Sequence, residues 1–276
     1  DIYDEYISAI RKHHEWGYSV PYHIAASHVC HPNYAAYLIN KQTLTMKDIE
    51  KIIRSIPSDY KILYDRSLIE QLYTQFQSRK IDDSQAVDQI SKWISGKKVL
   101  LLAPGKSLVT EFSSIMDFVE RETPYVISVN FIDPKYRMDA CFVSNHKRMD
   151  ILSGEIRPLE KVHTILTSNI PGGTNKTCLY VDYDSYTNSD EMISDNAGLM
   201  LLKLLKKCGA KEIYLAGFDG SHHKHNGNYY KEELIFSVNQ EEVEQKQERI
   251  RTQLKELSQS MKISFLTPSV YELEGR

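Results

Sequence analysis

The segment KKVLLLAPGKSL, residues 97–108, decides how the fold of this chain is interpreted. Its first half is an unbroken apolar run with the length of a buried strand, and its second half has the proline, glycine and serine typical of a turn into a helix. Strands that are apolar at successive positions are buried on both faces, which is typical of parallel sheets covered by helices. The segment therefore predicts an α/β fold.

Six further runs of the same kind follow this segment. They are PYVISVN (124–130), DACFVSN (139–145), VHTILTSN (162–169), TCLYVDY (177–183), KEIYLAGFDG (211–220) and ISFLTPS (263–269). Helical patterns lie between several of them, at 107–121, 195–208 and 239–261. Strands that alternate with helices predict a Rossmann-like domain over residues 95–276, in which a parallel sheet carries helices on both faces.

Residues 1–94 show helical signals and almost no strand signal, and they predict a small, Tyr-rich, all-helical domain. The apolar positions that define its helical faces are Ile49, Ile52 and Ile53, then Leu68, Leu72 and Phe76, then Val87, Ile90 and Ile94, with Asp82 or Asp83 starting the last helix. The sequence starts at Asp1 inside a helical pattern. We therefore expect a fragment of a longer polypeptide, with a trimmed tag or leader as the alternative.

Composition limits the classes of partner. The 276 residues carry a net charge of −3, which gives no electrostatic reason to expect nucleic acid or an anionic membrane. No apolar run approaches the ~20 residues of a membrane span. Cys30, Cys141, Cys178 and Cys208 form no CxxC pair, so we expect free thiols in a reducing cytoplasm.

The turn after the first predicted strand contains Gly105, Lys106 and Ser107. In doubly wound sheets, ligands bind beyond the carboxyl ends of the strands. Gly105 permits a tight turn, Ser107 can cap the next helix, whose free N–H groups attract anions, and Lys106 adds positive charge. These residues predict contacts with a phosphorylated ligand. The alternative is a plain strand-to-helix turn, since neither a Walker A loop nor GxGxxG is present.

Polar residues also follow the later strands. Asn130, Ser144 and Asn145 come at strand ends and can bind sugar hydroxyls or a base, whereas the alternative is that they simply close loops. Asn196 and Gly198 open an apolar helix, either as ligand contacts or as an ordinary N-cap.

Asp219, at the end of the sixth strand, can orient a ribose or substrate hydroxyl. His222, His223 and His225 follow it, but with Asn226-Gly227-Asn228 they are typical of a solvated loop rather than a metal or catalytic site. We predict no metal site in this chain and assign no catalytic residue.

Residues 1 to about 83 resemble the segment that follows the TIM barrel in bacterial 4-hydroxy-2-oxovalerate aldolase-like proteins. The likeness is carried by C-H-P-N-Y-A-x-Y-L (30–38), T-L-T (43–45) and I-D-D (81–83). This resemblance implies a parent lyase of surface-polysaccharide metabolism whose divalent metal and catalytic residues lie on a barrel absent from this chain. Within HVCHPNYAAYL (28–38), Cys30 and His31 are therefore expected to serve structure rather than catalysis.

Residues 97–276 resemble bacterial sialyltransferases that use CMP-sugars, and pterin-pyrophosphokinase-like proteins. The matching pieces are LLLAPGKSL (100–108), ISVNF (127–131), DACFVSN, ISFLTPS and the 195–220 segment that ends in GFDG. The resemblance implies that Gly105, Ser107, Asn130, Ser144, Asn145, Asn196 and Gly198 line a nucleotide-sugar site. It departs at the catalytic histidine, because FSVNQEEVEQ (236–245) holds none.

The expected function is the C-terminal portion of a cytoplasmic, aldolase-like bacterial enzyme, whose Rossmann-like domain binds a nucleotide, a CMP-sugar or a phosphorylated sugar. Two alternatives stay open. One is a metal-independent glycosyltransferase of the sialyltransferase type, and the other is a non-catalytic module that assembles a homodimer. Neither nucleic acid nor a membrane is expected as a partner.

Overall fold

The structure, a computed structural model, falls into two compact units, Asp1–Arg79 and Lys80–Arg276. It describes residues 35, 39, 46–55, 65–77, 80–145, 148–149, 152, 162–170, 178–220 and 240–272. The division between the units falls before the last predicted helix of the N-terminal domain, so residues 84–94 belong with the sheet rather than with the preceding helices.

The first unit contains helices α1 (Met46–Ser55) and α2 (Arg66–Gln77). Ile49 and Ile69 are fully buried, whereas Leu68 is 39% exposed. The predicted face through Leu68 is therefore wrong at its first position. Ile69 lies three residues before Leu72 and Leu68 lies four before it, and both spacings are typical of one helical face. Sequence periodicity therefore does not distinguish a face that starts at Leu68 from one that starts at Ile69.

The second unit contains seven strands and six helices among its described residues. In chain order they are α3 (Ser84–Ile94), β1 (Val99–Leu102), α4 (Ser107–Thr110), α5 (Phe112–Glu122), β2 (Tyr125–Val129), β3 (Ala140–Val143), β4 (His163–Thr167), β5 (Cys178–Val181), α6 (Tyr183–Tyr186), α7 (Ala197–Lys207), β6 (Glu212–Ala216), α8 (Gln240–Leu257) and β7 (Lys262–Phe265). A short 3₁₀ turn, Glu191–Ile193, precedes α7. All seven predicted strands are present.

The strands form one parallel sheet in the order β5-β4-β3-β2-β1-β6-β7. The chain builds outward from β1 to β5 on one side, and then crosses to the other side of β1 to add β6 and β7. Helices flank this sheet, so the predicted Rossmann-like α/β fold is confirmed. The change of direction between β1 and β6 is the topological switch point, where such sheets bind ligands.

Two hydrophobic cores, one on each face, explain why the strand sequences are apolar throughout. Val99 and Leu101 point into the core that α3, α7 and α8 cover, whereas Leu100 and Leu102 point into the core that α5 covers. All four residues of β1 are fully buried. A strand with polar residues at alternate positions would bury those polar groups in one of the two cores.

The helical pattern predicted over residues 107–121 is interrupted. Glu111 has φ −105° and ψ 20°, which separates the single turn α4 from α5. The pattern predicted at 195–208 corresponds closely to α7. Within the described ranges, no helix is long and apolar enough to cross a membrane.

Candidate functional site

The switch point brings two turns together at the carboxyl edge of the sheet. β1 and β6 are neighbours, and Leu102 pairs with Ala216 at their carboxyl ends. Just beyond this pair, the N–H of Ala103 donates to the carbonyl of Ala216 at 2.9 Å. The turn after β1, residues 103–107, therefore lies directly against the turn after β6, residues 217–220.

Gly105 and Gly217 are needed because these two turns touch through their backbones. The N–H of Gly105 donates to the carbonyl of Gly217 at 2.9 Å, and a Cβ built on Gly105 would lie 2.3 Å from that carbonyl oxygen. Gly217 has φ +70°, and a Cβ there would lie 1.9 Å from the carbonyl oxygen of Ala103. Since real side chains do not approach this closely, Gly105 serves turn packing in the first place.

Ser107, Asp219 and Thr267 form a hydrogen-bonded group across this junction. The Ser107 N–H donates to Asp219 Oδ2 at 2.8 Å, and the Ser107 hydroxyl donates to Asp219 Oδ1. Ser107 Oγ also lies 2.8 Å from Thr267 Oγ1, which accepts the N–H of Gly217 at 3.0 Å. Because a carboxylate only accepts, the Thr267 hydroxyl must donate to Ser107. This group ties β1, β6 and β7 together at their carboxyl ends.

The anion site expected at the start of α4 is altered by this group. Ser107 does not cap α4: Lys106 occupies the N-cap position without a side-chain hydrogen bond, and the Ser107 N–H is already bound by Asp219. Lys106 itself is exposed, and its ammonium makes no ion pair with any residue in the described part of the chain. The expected positive charge is present at this edge, but the expected free Ser107 N–H is not.

Asn130 and Ser144 lie together at the ends of β2 and β3. Asn130 has φ +59°, a left-handed conformation that is uncommon for residues other than glycine. Its Oδ1 accepts the N–H of Ser144 at 3.2 Å, and its own N–H donates to the carbonyl of Phe142 at 2.8 Å. The amide nitrogen of the Asn130 side chain donates to none of the residues that the structure describes. Asn130 thus closes a loop and still retains a donor for a ligand.

The other predicted asparagines mostly serve local structure. Asn145 Oδ1 accepts the N–H of Arg148 at 3.1 Å, and Asn196 Oδ1 accepts the N–H of Leu199 at 3.1 Å. Asn196 is therefore the N-cap of α7, which was one of the two roles predicted for it from the sequence. A Cβ on Gly198 would lie 2.4 Å from Cε2 of Phe218, so the start of α7 packs against the turn after β6 and a larger residue would have to displace this ring.

Thr267 and Ser269 are site residues that the sequence interpretation missed. Thr267 is buried, and the hydroxyl of Ser269 donates to the carbonyl of Phe218 at 2.5 Å. Both lie in the T-P-S that follows the last strand. Hydroxyl residues just after a parallel strand are the signal that would have identified them, since all strand ends meet at one edge.

Replacing Thr267 by valine should lower the free energy of unfolding of the second unit, Lys80–Arg276 (the sheet unit), by about 1–3 kcal/mol. Valine has the shape of threonine but leaves the buried Gly217 N–H without an acceptor and removes the hydroxyl that donates to Ser107, and an unsatisfied buried group costs this much. Thr267→Ser is the control, because it keeps the hydroxyl and removes one methyl, worth ~0.8 kcal/mol. Urea unfolding measures both variants. A valine variant that is no less stable than the serine variant would show that the hydroxyl contributes nothing.

Some predicted residues lie outside the described residues. They are His222, His223 and His225, and the HVCHPNYAAYL segment apart from Ala35, which is buried. In the described ranges, no three His, Cys, Asp or Glu side chains come together as a metal site.

Comparison with known proteins assigns no family to the chain. No protein-family model matches it, and no curated protein matches it. The sheet topology and the residues at its carboxyl edge are therefore the basis for inferring a function.

Proposed function

We propose that the sheet unit, residues 80–276, binds a nucleotide, a CMP-sugar or a phosphorylated sugar at the carboxyl edge of the sheet, between the ends of β1 and β6. The observation that carries this proposal is the switch point, where the turns after β1 and β6 lie in contact. Open parallel sheets bind ligands at this position because the loops leave it in opposite directions and open a crevice.

The groups at this edge of the sheet suit a ligand with both phosphate and hydroxyl groups. Lys106 supplies an exposed ammonium, and the Asn130 side chain has an uncommitted N–H donor. The carboxylate of Asp219, which is partly exposed, adds an acceptor. Phosphate requires cations and donors, whereas sugar hydroxyls pair with acceptors and amides. This mixture favours a nucleotide or sugar phosphate over a purely apolar ligand.

The cellular role that we propose rests on resemblance alone. The likeness of residues 1–83 to the post-barrel segment of aldolase-like proteins supports a cytoplasmic role in bacterial surface-polysaccharide metabolism, beside a barrel that would hold a divalent metal. Sugar transfer of the sialyltransferase type and assembly of a homodimer stay predictions.

A thermal-shift screen with CMP, UDP, NAD and sugar phosphates tests the proposal. A ligand of the folded state, present at about 100 times its Kd, stabilises it by about 2.7 kcal/mol. That corresponds to a rise in Tm of about 5–10 °C for a unit of this size. No rise with any ligand at millimolar concentration would contradict the proposal.

Two matched lysine variants then locate the phosphate contact. Lys106→Ala should weaken binding about threefold to fivefold, as expected for an exposed charge contact. Lys92→Ala removes the same charge from an exposed position in the last turn of α3, before β1 begins, and should leave the affinity unchanged. Equal effects of the two variants would place the phosphate elsewhere.

A further inference from the structure

The turn after β1 has the shape of a phosphate-binding turn, but most of its backbone donors are already used. The N–H of Gly105 donates to the carbonyls of Ala103 and Gly217, both at 2.9 Å. The N–H of Leu108 donates to Gly105, and that of Val109 to Lys106. The Ser107 N–H donates to Asp219 Oδ2, so in this turn only the Lys106 N–H has no acceptor among the residues that the structure describes.

Asp219 therefore stands where a phosphate would stand. Its two oxygens accept the N–H and the hydroxyl of Ser107, which is the pattern by which such a turn holds an anion. A ligand phosphate reaching the same donors would have to lie in contact with this carboxylate. Two anions at that distance repel strongly in a partly buried site. Asp219 thus excludes phosphate from the Ser107 N–H and hydroxyl for as long as it accepts from both.

The same carboxylate retains acceptor capacity for a ligand. A carboxylate has about four lone-pair positions, and Ser107 takes one on each oxygen. Because Asp219 is partly exposed, its remaining acceptor positions are assigned to the ligand. Two neighbouring acceptors on one group match two neighbouring hydroxyls, as in the diol of a ribose or a hexose.

We infer that Asp219 determines the orientation of the ligand at this site: it accepts a sugar diol and keeps the phosphate off the Ser107 N–H and hydroxyl, which leaves the exposed Lys106 ammonium as the phosphate contact of this turn. This inference rests on the proposed function, and it specifies which part of the ligand contacts Asp219. It also reverses the expectation that the Ser107 N–H, at the start of α4, binds the phosphate.

Isothermal titration calorimetry on the full chain tests the inference with paired probes. The probes are CMP, UMP and AMP, each compared with its 2′,3′-dideoxy analogue, which keeps the phosphate and lacks the diol. For at least one pair, the wild-type protein should bind the diol-bearing member about 10- to 100-fold more tightly, as expected for hydrogen bonds to a charged acceptor. Equal binding of the two members would overturn the inference and leave the proposed function standing.

The Asp219→Asn variant makes the test specific to this carboxylate. Asparagine keeps an acceptor for the Ser107 N–H but has lost the charge and half of the acceptor positions, so discrimination between the paired probes should fall to about threefold or less. Asp133→Asn, which changes a carboxylate that accepts the N–H of Lys135 in the loop after β2, should keep the wild-type ratio. Full discrimination by the Asp219 variant would overturn the inference. Absence of binding by every probe to the wild-type protein would also overturn the inference, and the proposed function would fall with it only if the thermal-shift screen were negative for sugar phosphates as well.

Discussion

Replacing Asp83 by alanine should lower the free energy of unfolding of the sheet unit by about 2–6 kcal/mol, because two buried donors lose their acceptor at ~1–3 kcal/mol each. The carboxylate of Asp83 is buried at the start of α3. It accepts the hydroxyl of Tyr186 at 2.7 Å, the N–H of Asp182 at 3.2 Å and the ammonium of Lys207 at 3.0 Å. Alanine would leave the first two donors buried without an acceptor.

The control for this prediction is Asp88→Ala, on the exposed face of the same helix. Exposed substitutions away from special features usually change stability by no more than about 0.5 kcal/mol. Urea unfolding of both variants provides the measurement. Stabilities of the two variants within 0.5 kcal/mol of each other would contradict a structural role for the Asp83 carboxylate.

The stability contributed by Asp83 should also depend on pH. Burial alone would raise the pKa of Asp83, but the hydrogen bonds from Tyr186, Lys207 and the Asp182 N–H outweigh it and lower the pKa below its ordinary value of 3.8. A carboxyl group whose pKa is lower in the folded state stabilises that state above the ordinary pKa. The contribution is lost as the pH falls below 3.8 and through the lowered value. The Asp83→Ala variant should therefore approach the wild-type stability in acid.

Replacing Gly217 by alanine should cost about 2–5 kcal/mol and weaken ligand binding. The left-handed backbone at φ +70° costs ~1–2 kcal/mol for a residue with a Cβ. The new methyl would lie 1.9 Å from the Ala103 carbonyl oxygen, and overpacking of this kind adds ~1–3 kcal/mol. Because the new methyl would clash with a backbone oxygen rather than with a movable side chain, the turns after β1 and β6 would have to separate.

Gly96→Ala is a matched control for this variant. Gly96 has the same φ of +70°, but a Cβ there would meet nothing within 4 Å. Its substitution therefore measures the backbone strain without the clash. Chemical unfolding measures the stability of both variants. We expect the Gly217 variant to be less stable than the Gly96 variant by at least about 1 kcal/mol. Equal losses would show that the two turns are not in contact as described.

The strands could be predicted from the sequence because each carries its own signal. β1 is apolar at every position since it faces two cores, and the six other runs follow the same physical rule. The carboxyl ends of the strands in a parallel sheet share one edge, so the polar residues that follow the strands could be assigned to one region from the sequence alone. Asp219 and Ser107 were identified in this way.

The connections at that edge could not be predicted, because they join residues that are distant in sequence. Ser107 and Thr267 are separated by 160 positions, and Asp83 and Tyr186 by 103. No local pattern specifies that Asp219 would occupy the turn after β1 rather than face solvent. The strand order decides the position of Asp219, because β6 lies next to β1 and the turn after β6 therefore meets the turn after β1. The same contact explains Gly198, whose partner Phe218 lies beyond a helix and a strand.

The measurement that tests the central claim most directly is amide hydrogen exchange of the full chain with and without the tightest ligand of the thermal-shift screen. Binding at the carboxyl edge should slow exchange most in peptides covering residues 103–110 and 213–220. The amino ends of β1 and β4, around Lys97 and His163, should be little affected. Protection confined to those amino ends, or to α1 and α2, would contradict a ligand site between β1 and β6.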